Sequence, residues 1–199
     1  MKNKQYLIAD ARKEQIIKAA IDALRDYGYI NTSLSKIADK AETSTGLLSY
    51  HFSGKEDLMN NTLLYLAEQE KAFIKEKIDN QQTYTDKLMA FIEEGIAYRG
   101  IKRENTTALL EIAFNVRTPG NVPYFRVEMH PEEELNLLLE EILSEGQKAG
   151  EFCDFDIKVA AMIIRGAISL SMSLPQIEDD QRFEDYSGKV KENILKMIK

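Results

Sequence analysis

Apolar side chains recur every three or four positions along this chain, the spacing that places them on one face of a helix. Ile17, Ala20, Ile21 and Leu24 form the first such face, and Gly28 follows as a C-terminal stop. The hydroxyls of Thr32 and Ser33 are placed to cap a second helix of about two turns, whose buried face is Leu34, Ile37, Ala38 and Ala41. After the break Glu42-Thr43-Ser44, Ser44 caps a third helix running from Thr45 to Phe52. Leu48 and Phe52, four apart, face inward and leave Thr45, Gly46, Ser49 and Tyr50 outside. Two short helices, a tight turn and an outer face of small polar and aromatic groups form a helix-turn-helix pattern. A fourth helix opens with the capping-box spacing Ser53 to Glu56. It is predicted from about Lys55 to Ile78, roughly 35 Å at about 1.5 Å per residue.

Further helices follow. Leu88, Phe91, Ile92, Gly95 and Ile96 mark the fifth, and Leu109, Leu110, Ala113 and Phe114 the sixth, which ends before Pro119-Gly120. The proline-bearing stretch 118–131 reads as irregular or as one short helix. Leu135, Leu138, Leu139, Ile142 and Leu143, led by three glutamates at 132–134, predict a seventh helix ending near Gly150. The apolar run Val159 to Leu174 is the eighth, closed by Pro175. Ala160, Ala161, Gly166, Ala167, Ser169, Ser171 and Ser173 within it permit close helix approach. Such a helix could be fully buried in a monomer, yet beside the preceding one it also suits a four-helix bundle completed by a second copy of the chain, and a homodimer through the helices at about 132–149 and 156–174 is expected. The expected fold class is all-α: a three-helix helix-turn-helix head, residues 1–54, joined by a long helix to a helical body, residues 55–199, part of which serves dimerisation.

Composition narrows the function. At 199 residues, 44% apolar and 30% charged, the chain can bury a substantial core. Its lone Cys153 forms no internal disulfide and fits a reducing compartment, and the polar first residues offer no signal-peptide core. A cytoplasmic protein is expected. No membrane association is expected either, because Arg165 interrupts the longest apolar run, which is shorter than the roughly 20 residues that span a bilayer. The net charge of −7 argues against nucleic-acid binding until its distribution is considered. Residues 1–55 carry nine Lys or Arg against six Asp or Glu, whereas residues 56–199 carry 17 against 27. That split suits a basic head on an acidic body, the alternative being chance variation among solvated helix faces. With only His51, His130 and Cys153 as soft ligands, and no Gly-x-Ser-x-Gly spacing, neither a metal site nor an enzyme is expected. Ser49 and Glu56 likewise exclude a P-loop around Gly54-Lys55.

Thr32-Ser33, Ile37-Ala38, Ala41, Ser44-Thr45-Gly46, Leu48, Tyr50-His51-Phe52 and Lys55-Glu56-Asp57-Leu58 together resemble the signature of tetracycline-repressor-like (TetR family) regulators. The sequence departs from that signature at Glu42, where the family often has glycine, at Thr43 and at Ser49. The resemblance implies that Thr45, Gly46, Leu47, Ser49 and Tyr50 face the DNA major groove. It also implies that Thr32, Ser33, Ser44, Tyr50, His51 and Lys55 hold phosphates. The Gly150-Glu151-Phe152 turn and the helix start at Asp156 resemble the family's paired dimerisation helices. The implied protein is a ligand-responsive regulator, a repressor by the family's usual mode. It binds a palindromic double-stranded DNA operator as a homodimer and is released by a small-molecule inducer, without a cofactor. Candidates to line the inducer pocket are Phe73, Met89, Ile92, Ile96, Leu110, Phe114, Tyr124 and Phe125, residues that serve equally as plain core. The competing reading is a helical adaptor or ligand-binding module that does not recognise DNA.

Overall fold

The computed structural model describes residues 2–117, 120–123, 133–171 and 180–199, with side chains from Asp10 onward and, in the last segment, from Glu184 onward. The described residues form helices α1 (Lys2–Asn31), α2 (Leu34–Lys40), α3 (Thr45–His51), α4 (Lys55–Ile78), α5 (Tyr84–Ile101), α6 (Arg103–Asn115), α7 (Glu133–Lys148), α8 (Ile157–Leu170) and α9 (Asp180–Ile198). An isolated antiparallel bridge between Arg117 and Pro123 is the β-type pairing among them. The all-α expectation holds. The segment 118–131 falls largely outside the described residues, as do the ends of the two predicted dimerisation helices at 132 and 172–174.

The chain divides into two compact units. The first comprises residues 1–66 and 104–131, the second 67–103 and 132–199. The unit around the head is thus larger than residues 1–54, because Ala108, Ile112 and Val116, on and just after α6, share one core with Ala20, Leu24, Ile37, Leu48, Leu58 and Leu63. Gly28 does end the regular part of α1. Its backbone (φ 68°, ψ 169°) lies where only glycine sits comfortably, and a short turn to Asn31 follows.

The second unit has its own core. Ile74, Ile78, Leu88, Phe91, Ile92 and Ile96 pack with Leu139, Leu143, Ile164 and Ile168. Within it the Glu70 carboxylate accepts two hydrogen bonds from Arg99 Nη2, at 2.8 and 2.9 Å, and a longer one of 3.4 Å from Arg165. All three residues are buried. Arg165, which interrupts the apolar run of α8 in sequence, is therefore part of an interior ionic cluster. Removing one member of such a cluster costs about 3–5 kcal/mol, since a charge is left without its counter-ion. Glu151 fastens the start of α5 by accepting the backbone N–H groups of Tyr84 and Thr85 and the Thr85 hydroxyl, at 2.8–3.0 Å.

Candidate nucleic-acid interface

The recognition element is built by caps. Ser33 is extended (φ −121°) and its hydroxyl accepts the Lys36 N–H, starting α2. Ser44 accepts the Leu47 N–H at 3.2 Å and starts α3. Between them α2 ends in a Schellman turn: Thr43 N–H donates to the Ala38 carbonyl and Glu42 N–H to the Asp39 carbonyl. Glu42 occupies its left-handed position at φ 49°. Gln15 on α1 donates to the Ala41 carbonyl at 2.8 Å and holds the turn against the first helix. Leu48 and Phe52 are buried, at 1% and 4% exposure, so the rotation of α3 is fixed.

That rotation decides what faces outward. Thr45, Gly46, Ser49 and Tyr50 are exposed on α3, Tyr50 at 81%, and the two capping residues Ser33 and Ser44 are exposed beside them. Leu47, His51 and Lys55 are half-buried at the edge of the same surface. Tyr50 packs edge-on against the His51 ring at 5.1 Å between centroids. The Ser49 hydroxyl donates to the Thr45 carbonyl at 3.0 Å, leaving its lone pairs to accept from a base edge or water.

Thr32 is placed differently. It is 2% exposed and its hydroxyl reaches the carbonyls of Ala23 and Gly28, at 3.1 and 2.7 Å. The side chain that closes the end of the first helix is turned away from the surface that Ser33 presents. The α4 cap also differs from the expected Ser53–Glu56 box. Asp57 accepts both the backbone N–H and the hydroxyl of Ser53, at 2.8 and 3.2 Å. The reason is register: the helix begins at Lys55, so the third helical residue, the one able to reach back, is Asp57.

Lys55 is engaged within the head. Its ammonium donates to the Tyr29 carbonyl at 2.6 Å and lies 4.1 Å from the Tyr29 ring centroid. Partial burial holds its pKa below the ordinary lysine value. The Tyr29 N–H donates to Glu111 of α6 at 2.7 Å. One peptide segment is thus held at its carbonyl by α4 and at its amide by α6. A basic pair absent from the expected residue set lies nearby: Lys36 and Lys40 sit 4.5 and 5.5 Å from the Tyr27 ring centroid. Lys40 is also paired at 2.7 Å with Asp26, whose carboxyl is pushed down to about 2 by hydrogen bonds from Arg25 and Lys40. The sequence signal for Lys36 was available, since it lies three residues past the capping Ser33, in the first turn of α2.

The proposed ligand-contacting residues are divided between the two units. Ile92 and Ile96 are buried in the second core, and Phe73 and Met89 pack against it half-buried. Leu110 and Phe114 belong to the first unit, Phe114 being 63% exposed. Tyr124 and Phe125 lie outside the described residues.

Residues 16–62 match bacterial regulatory proteins of the tetR family. Over 142 residues, 66% of this chain and 70% of the relative, it is 27% identical to the HTH-type transcriptional regulator BetI of Vibrio campbellii. It is 25% identical to the fatty acid metabolism regulator protein of Bacillus subtilis over 171 residues, 85% of this chain and 86% of that one. Among solved structures, FadR of Bacillus subtilis in complex with stearoyl-CoA superposes with a TM-score of 0.75 at 24% identity, covering 92% of this chain and 97% of that one.

Proposed function

We propose that this chain, whose residues 16–62 match bacterial regulatory proteins of the tetR family, is a DNA-binding transcriptional regulator of that family that binds a palindromic operator as a homodimer and represses until a small molecule releases it. The observation that carries the reading is the outer face of α3, where Thr45, Gly46, Ser49 and Tyr50 stand exposed on a helix whose inner face is locked by Leu48 and Phe52. Gly46 lets backbone approach a groove, the exposed capping hydroxyls of Ser33 and Ser44 suit phosphate oxygens, and Leu47 offers an apolar edge to a thymine methyl. Lys36 joins Tyr50, His51 and Lys55 as a phosphate contact in this reading, and Thr32 supports the interface from beneath.

Dimerisation is supported by an apolar stripe on α8. Val159, Met162, Ile163 and Leu170 are 50%, 71%, 47% and 66% exposed, and Leu137 on α7 is 57% exposed. They follow helical spacing and flank Gly166, whose surroundings are open. We read that stripe as an interface, for which a second copy would supply the matching face. Two recognition helices related by a two-fold axis then read half-sites about 34–36 Å apart, or a multiple of that distance. An effector that prefers another spacing releases the operator, and α4, which contributes residues to both units, is the element through which we expect that change to pass.

The similar proteins suggest a first effector class, because one carries a fatty-acid regulator's name and another was solved with stearoyl-CoA. Long-chain acyl-CoA thioesters are therefore the first ligands to titrate against the operator complex.

The deciding experiment is selection of bound sequences from a random duplex pool, then salt-dependent binding of the selected site. The expected result is a palindrome whose affinity falls steeply with salt. Tyr50→Ala should weaken binding at least about tenfold, and Lys55→Ala should lower the salt slope by about one. Salt-independent binding, or no selected sequence, favours the adaptor reading.

A further inference from the structure

Ser33, Ser44 and Ser49 are all exposed at the candidate nucleic-acid interface, but they differ in where their protons point. Ser33 Oγ accepts the Lys36 N–H at 3.3 Å, and Ser44 Oγ accepts the Leu47 N–H at 3.2 Å. Each of these oxygens has used a lone pair on its own helix, and its proton remains to be donated outward. Ser49 is the reverse case. Its Oγ lies 3.0 Å from the Thr45 carbonyl oxygen, and a carbonyl carries no proton, so the hydroxyl proton must lie between the two oxygens. Ser49 therefore presents lone pairs to an incoming partner.

That polarity sorts the serines between the two parts of a duplex. Phosphate oxygens only accept, so they suit Ser33 and Ser44 and offer Ser49 nothing. In the major groove the base-edge donors are two amino groups, N4 of cytosine and N6 of adenine, whereas guanine and thymine show acceptors there. So short a side chain reaches a base edge only if its helix comes close to the groove floor. Gly46 allows this. It lies three positions before Ser49, a neighbour on the same face of α3, and a β-carbon there would meet Ser44 Oγ at 3.7 Å. Thr45, Gly46 and Ser49 thus form a low, exposed strip, held outward by the burial of Leu48 and Phe52.

We infer that Ser49 is a specificity-determining residue that accepts a hydrogen bond from a base amino group, restricting one position of each operator half-site to adenine or cytosine on the contacted strand. Ser33 and Ser44 donate to the phosphates on either side. This inference rests on the proposed DNA recognition and names what one residue of that surface reads.

The test selects bound duplexes from a random pool with the full chain and, in parallel, with Ser49→Ala and Ser49→Thr. Alanine is a good helix former at an exposed helical position, and threonine keeps the hydroxyl. The wild-type site should hold one half-site position to adenine or cytosine. Ser49→Ala should relax that position and retain the rest of the site, and Ser49→Thr should keep the restriction. The amino group at that position is then removed from a synthetic operator, with purine replacing adenine or 2-pyrimidinone replacing cytosine. Wild-type binding should weaken about five- to tenfold and that of Ser49→Ala less than about twofold; any weakening of the duplex itself is common to both and cancels. The inference is overturned if no position relaxes, if the relaxed position holds guanine or thymine in the wild-type site, or if removing the amino group weakens both proteins equally. Loss of all binding in Ser49→Ala overturns it too, because one base contact does not carry the complex. Each of those outcomes leaves wild-type operator binding standing, whereas failure of the wild-type chain to select any site sinks DNA recognition and this inference together.

Discussion

Glu42 holds the left-handed position of the turn between α2 and α3, at φ 49°. An L-residue there costs about 1–2 kcal/mol in steric conflict between its β-carbon and the backbone, which glycine avoids at the expense of a more flexible unfolded chain. Glu42→Gly should therefore raise stability by a net ~0.5–1 kcal/mol, measured as a thermal midpoint higher by roughly 1–4 °C; a lower midpoint would show that the glutamate side chain makes a compensating contact. Glu151 gives a pH-dependent case. Hydrogen bonds from the Thr85 and Tyr84 backbone hold its pKa below the usual carboxylate value. The folded pKa being depressed, its contribution is full above the unfolded-state pKa and disappears as pH falls through the lower folded-state value. The midpoint of Glu151→Gln should lie below wild type at neutral pH, and the gap should close as the solution is acidified through that window. A gap constant with pH would mean that the carboxylate charge contributes nothing. At this scale the sequence was partly readable. Ser33 and Ser44 announced their caps by residue type and position. Thr32 and Ser33 are adjacent hydroxyls, however, and nothing local says that one turns inward to the carbonyls of Ala23 and Gly28 while the other starts α2.

Helices were legible where the apolar face is unbroken. α4 spans the predicted Lys55 to Ile78, and α1 to α3 follow their buried residues. α9 was missed although Tyr186, Val190, Ile194 and Ile198 recur every four residues. Ser187, Gly188 and the lysines dilute that stripe, and its partner face on α5 is far away in sequence. Gly146 on α7 shows another limit of local reading. Phe152 folds back so closely that a β-carbon at Gly146 would overlap its ring, a contact that no sequence period encodes. Gly146→Ala must displace that buried ring, which should cost about 1–3 kcal/mol, seen in chemical denaturation as a lower midpoint with unchanged slope. α8 carries the element-scale prediction for assembly. Met162 is 71% exposed within the chain, so Met162→Glu should leave the helical content of each chain intact while converting the proposed dimer to monomer in light scattering. Operator affinity should fall with it, because a single recognition helix reads half the site. A dimer that survives this substitution would place the interface away from the α8 stripe.

At the scale of the whole molecule, the proposed regulation requires an effector to influence the DNA-binding surface without touching it. The sequence placed a basic head ahead of an acidic body, but the structure assigns α6 to the same unit as the head, an attachment invisible to periodicity because it joins residues some eighty positions apart. Glu111 of α6 accepts the Tyr29 N–H, and Lys55 at the start of α4 donates to the Tyr29 carbonyl. Those two contacts give α4 and α6 a hold on the segment just ahead of the helix-turn-helix. Coupling between an effector and the operator requires only that the effector bind one conformation better than the other. Its size is then the same in both directions: if an acyl-CoA lowers operator affinity by some factor, saturating operator must lower acyl-CoA affinity by that factor, typically about 5- to 150-fold. Glu111→Gln keeps the side chain's shape but removes the charge that draws the Tyr29 amide, so it should shrink the coupling factor while leaving effector affinity in the absence of DNA near the wild-type value. Two titrations decide this, effector into free protein and effector into the operator complex, each repeated on the variant. Equal coupling in both proteins would show that the signal passes to the head by a route other than Tyr29.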